Sequence, residues 1–544
     1  MVRLLALACA AAAGAQEQIR PPHEGPSRPP VPAAELPTAT SPALRVRFGG
    51  FESVQVNVDG NGMNVVGDAG NEPSLAVSPL DRRKIAVGWR QFDSIASDFR
   101  QAGLNVSFDG GRSWEAKTVL GPGIFGSDPV LDVAADGTFH YMSLHNEPNY
   151  FTTLYRSFDD LASWTAPVYA FGGDKQWISV DRTQGMGRGH LYQAWDYAGC
   201  CGDDWFDRST DDGDSFENPL PIPGQPYWGT TAVGPAGELW VAGTDGAGFR
   251  AARSTNARDP GVTPAFDRTA TIALGGPLVF FLGSGPNPGG LLGQLWMTID
   301  RSTGPRRGWI YVLASVDPPG ADPLDVRFVR STDGGLTWSP PVRVNDDPAT
   351  NGAWQWFGTM SVAANGRIDA VWNDTRNAVP PSGNASQLFG AHSDDGGATW
   401  SPNQALSPAF DPLLGWPMQN KLGDYYGMVS DRVGADVIYA ATFLGEQNVY
   451  YLRIGDRDCN DNGVGDADDL LAGYDVDLDG DGIPDRCESD ADGDGAVDAL
   501  DNCEATPNRD QDDGDEDGVG DACEPLFADG FESGDTSAWS SSVP

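Results

Sequence analysis

Lysine is nearly missing from this chain: four residues in 544, against 77 Asp and Glu. The formal net charge is −42. A chain so acidic has little with which to grip a nucleic-acid backbone or an anionic membrane surface. Histidine is rare too, with five residues, no His-Glu-x-x-His pair and no tight cluster, which argues against a zinc-protease site. No Gly-x-Ser-x-Gly elbow and no phosphate-cradling loop occurs. Beyond the first fifteen residues, no stretch is long and apolar enough to span a bilayer.

Glycine (69 residues) and proline (41) are abundant, and aromatics make up 10% of the chain. That composition suits many short strands joined by turns. The start, MVRLLALACAAAAGAQEQ, has one basic residue, an apolar run and a small-residue end. It reads as a secretory signal peptide spanning residues 1–15, cut after Ala15. A lipoprotein anchor through Cys9 is the weaker alternative. Residues 16–42 form a Pro-rich linker, with eight prolines from Pro21 to Pro42 and no apolar period. The protein is therefore expected outside the cytoplasm or on the cell surface, as a monomer.

From about residue 43 to 455 one turn motif recurs: Ser-x-Asp-x-Gly-x-Thr/Ser-Trp. Its good copies are Ser107–Trp114, Ser331–Trp338 and Ser393–Trp400. Looser copies lie at Ser157–Trp164 and Ser209–Phe216, and an eroded one begins at Ser254. The Asp carboxylate suits a tight turn because it accepts backbone N–H bonds, Gly supplies positive φ, and Trp buries a ring against the neighbouring unit. Two strands precede each copy, and seven such units begin near residues 73, 127, 175, 229, 291, 354 and 423. The expected fold is all-β: a β-propeller of seven blades, with six as the alternative. The last unit has only three strands, and a strand from 43–57 is expected to complete it and remove free sheet edges.

These turns resemble the Asp boxes, or BNR repeats, of the sialidase superfamily. The resemblance implies an Asp-box propeller. An active sialidase would also need three Arg on the substrate carboxylate, a Tyr nucleophile paired with Glu, and an Asp acid. Its first Arg sits in an Arg-Ile/Leu-Pro motif before the first box, and that motif is missing here. Strand ends still supply candidates for a ligand site at one channel mouth: Arg90 in GWRQF, Asp196 in AWDY, Asp374 and Arg376 in VWNDTR, and Asp424 and Tyr425 in GDYYG. The alternative is that these are structural pairs joining blade to blade. Cys200-Cys201 reads as a vicinal disulfide.

Residues 456–544 hold 29 of the acidic residues and three Arg. Within 456–524 the pattern Asp-x-Asp/Asn-x-Asp/Asn-Gly-x-x-Asp recurs four times. The copies are Asp458, Asn460, Asn462 and Asp466; Asp477, Asp479, Asp481 and Asp485; Asp490, Asp492, Asp494 and Asp498; and Asp513, Asp515, Asp517 and Asp521. An acid follows at the twelfth position of each: Asp469, Glu488, Asp501 and Glu524. Alternating hard oxygens before a sharp Gly turn describe a Ca²⁺ loop. The copies stand only 13–23 residues apart, too close for paired EF-hand helices. The run from Asp490 to Cys523 resembles thrombospondin type 3 repeats, which implies a chain wrapped around several Ca²⁺ ions with disulfides as staples. Four cysteines here allow three pairings, of which Cys459–Cys487 with Cys503–Cys523 is favoured. Residues 525–544 resemble the short tail of many secreted bacterial proteins.

Two functions fit. In the favoured one, a secreted calcium-binding protein recognises a glycan or a protein through its propeller. In the other, the propeller is an exo-α-sialidase or a related glycoside hydrolase.

Overall fold

A computed structural model describes residues 28–524 except 147–148, 461, 481 and 515–517. The expected signal peptide, the start of the linker, the C-terminal tail, Asp481, Asp515 and Asp517 lie outside the described residues.

Seven antiparallel sheets follow one another along the chain, and each is a blade. Blade 1 runs through Ala69–Val77, Ile85–Phe92, Gln101–Ser107 and Glu115–Leu120. Blade 2 opens at Ser127–Val133, blade 3 at Trp177–Val180, blade 4 at Thr231–Val233, blade 5 at Trp296–Ile299 and blade 6 at Gln355–Val362. Blade 3 has three strands. Blade 7 opens at Gly427–Ser430 and continues through Gly434–Ala441 and Asn448–Gly455. Its fourth strand is Phe51–Gln55, which pairs Ser53 with Leu452 and Val54 with Tyr451. Arg45–Phe48 adds a fifth. The two ends of the propeller thus close one sheet, as the three-strand last unit predicts.

Strands alternate direction, so every inner strand starts on one face and finishes on the other. The Ser-x-Asp turns all lie on the second face. In blade 5, Ser331 Oγ reaches Asp333 Oδ1 at 2.8 Å, and Asp333 accepts the backbone N–H of Leu336 (3.0 Å) and Thr337 (2.9 Å). Thr337 Oγ1 closes the turn at 2.6 Å. The same bonds recur around Asp109, Asp159, Asp211 and Asp395. In the eroded copy, Asn256 takes the Asp position. The second glycine has a double task. At Gly335 φ is +79°, and a Cβ would lie 2.4 Å from the Trp240 ring of blade 4. At Gly397 it would lie 2.1 Å from Phe328 of blade 5. The turn therefore needs both a left-handed backbone and the absence of a side chain. The closing rings pack onto the preceding blade: Trp114 meets Tyr451 edge-on at 5.6 Å and Trp400 meets Phe328 at 5.4 Å.

The acidic segment is loop-rich and rests on the turn of blade 1, where Arg83 donates to the Glu488 carbonyl at 2.5 Å. Among its described residues it contains one short α-helix, Asp466–Ala472, stopped by Gly473 at φ +71°, and one 3-10 turn, Asp485–Cys487. The sequence pattern does not anticipate this helix, and among the described residues it has no partner α-helix like that of an EF-hand. Cysteines pair as Cys200–Cys201, Cys459–Cys487 and Cys503–Cys523.

Candidate functional site

Several inner strands begin with a residue forced into positive φ. These are Glu72 (+48°), Asp128 (+45°), Lys175 (+52°) and Phe357 (+59°), with Gly423 (+111°) at the corresponding place before blade 7. Register shifts mark bulges there in blades 1, 2 and 6. A bulge re-aims side chains, and non-Gly residues in this region persist only where surrounding contacts over-determine them.

The surrounding contacts are charges. Lys175 Nζ lies 2.6 Å from Asp424 Oδ2, 2.7 Å from Asp128 Oδ2 and 3.7 Å from Glu72 Oε2. Lys421 Nζ lies 2.9 Å from Asp424 and 3.4 Å from Glu72. Arg90 pairs with Glu72 at 3.2 Å and donates to Asn71 Oδ1 at 2.8 Å and to Gln419 Oε1 at 3.2 Å. Three carboxylates thus face three cations, and no side chain among them is more than 8% exposed. Burial pushes the Glu72 carboxyl up to about 8, with Asp128 and Asp424 adding to the effect against Arg90 and Lys175. Burial also works to raise Asp128, but Lys175, Arg90 and Lys421 prevail and hold it at about 2. Asp424 is held low in the same way.

Three expected site residues meet in this cluster. Arg90 and Asp424 belong to it, and Tyr425 adjoins it: its hydroxyl donates to the Pro129 carbonyl at 3.0 Å, and its ring stands edge-on to Trp177 at 5.7 Å. Asp374 and Arg376 form a separate group on the same face. Arg376 bonds Asp374 at 2.9 Å, Asp346 at 2.5 Å and Asn403 at 2.9 Å, and covers the Phe389 ring at 4.5 Å. Asp196 is tied to the Trp228 indole at 2.9 Å and to the Ala198 N–H at 2.6 Å, and burial pushes its carboxyl up to about 7. Glu72, Asp128, Lys175 and Lys421 are not expected from the strand-end pattern. A signal was nevertheless available: Gly70-Asn71-Glu72-Pro73, Gly126-Ser127-Asp128-Pro129 and Gly173-Asp174-Lys175-Gln176 repeat a Gly-polar-charged step at the start of successive blades.

The acidic segment repeats one geometry. The first-position carboxylate clamps the loop backbone. Asp458 accepts from Asn462 (3.0 Å) and Gly463 (2.8 Å), Asp477 from Gly480 (2.7 Å) and Gly482 (3.0 Å), and Asp490 from Gly493 (2.7 Å) and Gly495 (3.0 Å). Asp513 accepts from Gly518 at 2.9 Å. The ninth-position Asp reaches back to the second-position N–H: Asp466 to Cys459, Asp485 to Leu478, Asp498 to Ala491 and Asp521 to Gly514, at 2.7–2.8 Å. With the backbone held this way, the third copy keeps carboxylate oxygens for another partner. In the third copy, Asp490, Asp492 and Asp494 bring carboxylate oxygens within 4.8 Å of one another. Asp492 Oδ2 and Asp501 Oδ2 are buried without a hydrogen-bond partner. Like charges so close call for a cation, and an all-oxygen donor set suits Ca²⁺. The first copy differs: Asn460 and Asn462 both donate to Asp469 Oδ2, at 2.9 and 2.7 Å.

Residues 476–511 match the thrombospondin type 3 repeat family. No curated protein sequence matches the chain. Among solved structures, a protein of unknown function from Dyadobacter fermentans DSM 18053 is 14% identical, over 74% of this chain and 98% of its own, with a TM-score of 0.43. The Hadza microbial sialidase Hz136 is 13% identical, over 68% and 76%, with a TM-score of 0.35. A Trypanosoma rangeli sialidase in complex with 2,3-difluorosialic acid is 11% identical, over 75% of this chain and 59% of its own, with a TM-score of 0.36.

Proposed function

We propose that this protein is a calcium-dependent extracellular recognition protein. Its propeller presents a glycan- or protein-binding surface, and its acidic repeat is a stalk or spacer stiffened by Ca²⁺. The observation that carries the reading is the fourfold loop in the acidic segment, with clamped first and ninth carboxylates and free oxygens in the third copy. Asp490, Asp492, Asp494 and Asp501 would hold the ion there, with Asp477, Asp479, Asp481 and Glu488 in the second copy and Asp513, Asp515, Asp517 and Glu524 in the fourth. Bound Ca²⁺ would neutralise repulsion that otherwise expands the segment, so that binding and folding are coupled. Three disulfides fit an oxidising compartment, as does the leader-like start. Among the described residues no helix is long and apolar enough to cross a membrane.

A glycosidase acting on sialosides is the second reading. It is favoured by the meeting of Arg90, Glu72, Asp424 and Tyr425 on one face of the channel. Against it, these groups are buried and neutralise one another, Tyr425 is bonded to a carbonyl, and Arg376 is spent on Asp346 and Asp374. Hydrolysis of a fluorogenic sialoside by the full chain with Ca²⁺ present separates the two. No turnover is expected, and turnover abolished by Tyr425→Phe would replace recognition by catalysis.

A further inference from the structure

The central channel contains a cavity of about 520 Å³, lined by the inner strands of all seven blades. It opens on the face opposite the buried charges, because its rim residues follow the inner-strand ends: Arg182 after Trp177–Val180 and Arg301 after Trp296–Ile299. The wall mixes aromatic and apolar side chains with hydroxyls such as those of Ser179, Thr231 and Ser430. Trp177 and Trp296 stand edge-on at 5.1 Å, with Met360 and Met428 also lining the space. The rim is cationic. Arg182 is engaged, through the Val133 carbonyl and the Asp132 carboxylate. Asp132 in turn accepts the Val180 N–H at 2.8 Å.

Arg301 is different. Among the described residues its guanidinium has no hydrogen-bond or ion-pair partner, while its carbonyl is fixed by Arg307 at 2.7 Å. Its side chain stands exposed at the rim, where partial desolvation, with Arg182 and Arg307, lowers its pKa against Asp132 and Asp181. A guanidinium without a protein partner, with Arg182 on the same rim, leaves a local place for an anion in an otherwise acidic protein. Ser430, on the same wall, keeps a buried hydroxyl without a partner. A concave space that combines apolar side chains with placed polar groups is the usual form of a small-molecule site.

We propose that this cavity binds a small organic anion, a carboxylate or phosphate ester with an apolar body, whose charged end pairs with Arg301 beside Arg182 while its body lies along Trp177, Trp296 and Met360. The site is independent of the calcium loops and of any ligand on the opposite face. The test is isothermal titration of the full chain, with Ca²⁺, against four probes: octanoate, hexyl phosphate, inorganic phosphate and octanol. Saturable one-to-one binding of octanoate or hexyl phosphate is expected, and the tighter of the two identifies the head group. Octanol and inorganic phosphate are expected to bind at least about tenfold more weakly. Arg301→Gln should weaken the anion about tenfold or more with an unchanged melting temperature, whereas the exposed Arg188→Gln should not. Thr298→Trp, which fills the channel, should abolish binding. Failure of both anions to bind the wild type at millimolar concentration overturns the proposal. So does equal binding of octanol, equal binding by Arg301→Gln, or binding that survives Thr298→Trp.

Discussion

Replacing Lys175 by Met tests whether the buried charges hold the blades together. The ammonium stands within 2.7 Å of Asp128 and Asp424 and 3.7 Å from Glu72. Methionine keeps the volume and removes the charge, leaving Asp128, Asp424 and the Glu72 carboxyl to Arg90 and Lys421. Removing one partner of a buried pair costs about 3–5 kcal/mol, because the remaining charge stays desolvated. Two close pairs are lost here, but Glu72 already holds its proton up to about pH 8, so Asp128 and Asp424 still face Arg90 and Lys421, two charges against two. The expected loss at pH 7.5 is therefore about 3–5 kcal/mol rather than twice that. It should shrink towards pH 5. Lys175 is the strongest charge holding Asp128 and Asp424 low, so without it those carboxyls bind protons in the native state as the pH falls. Urea unfolding followed by tryptophan fluorescence, with Ca²⁺ present, measures the loss at both pH values, provided the slopes agree. Adding Asp424→Asn should recover part of it. A loss under about 1 kcal/mol at pH 7.5, or an equal loss at both pH values, would refute the reasoning.

Glu72 predicts a second pH effect. Its folded pKa of about 8 lies above its unfolded value, so its contribution is full at low pH and is lost as pH rises through 8. Stability should fall between about pH 4.5 and 8, and Glu72→Gln should flatten that slope in the same urea assay. In the blade 5 turn, Gly335→Ala meets Trp240 at 2.4 Å, whereas at Gly334, also at positive φ, the nearest atom is 3.7 Å away. Gly335→Ala should cost about 1–3 kcal/mol and Gly334→Ala only the backbone strain of about 1 kcal/mol, as read from thermal melts. Asp490→Asn should weaken Ca²⁺ binding at the third loop, measured by titration calorimetry, and leave the melting of the propeller unchanged.

The propeller was legible because its repeat is local. The Ser-x-Asp turn and the two strands before it lie within one stretch of chain, so counting units yields seven blades. The short last unit showed where closure must occur. The fourfold acidic repeat was legible for the same reason. The buried charge cluster was not, because its members come from four separate places on the chain: Glu72 and Arg90, Asp128, Lys175, and Lys421 with Asp424. Arg90 and Asp424 stand out at strand ends, but nothing local links them to Glu72, Asp128, Lys175 and Lys421. Arg376 misleads in the opposite direction, since its neighbours Asp374 and Asp346 consume the charge that a ligand would need. The cavity opposite depends on Arg301, which only the register of the inner strands places at the channel rim.

The central claim is that the acidic repeat binds Ca²⁺. Its most direct test is equilibrium dialysis of the full chain against Ca²⁺, with the bound metal counted and far-ultraviolet circular dichroism recorded alongside. The account predicts several ions per chain, at least one for each all-Asp loop at Asp477, Asp490 and Asp513, with a spectral change that chelation reverses. No bound Ca²⁺ at millimolar concentration, or binding that Asp490→Asn and Asp513→Asn leave untouched, would contradict it.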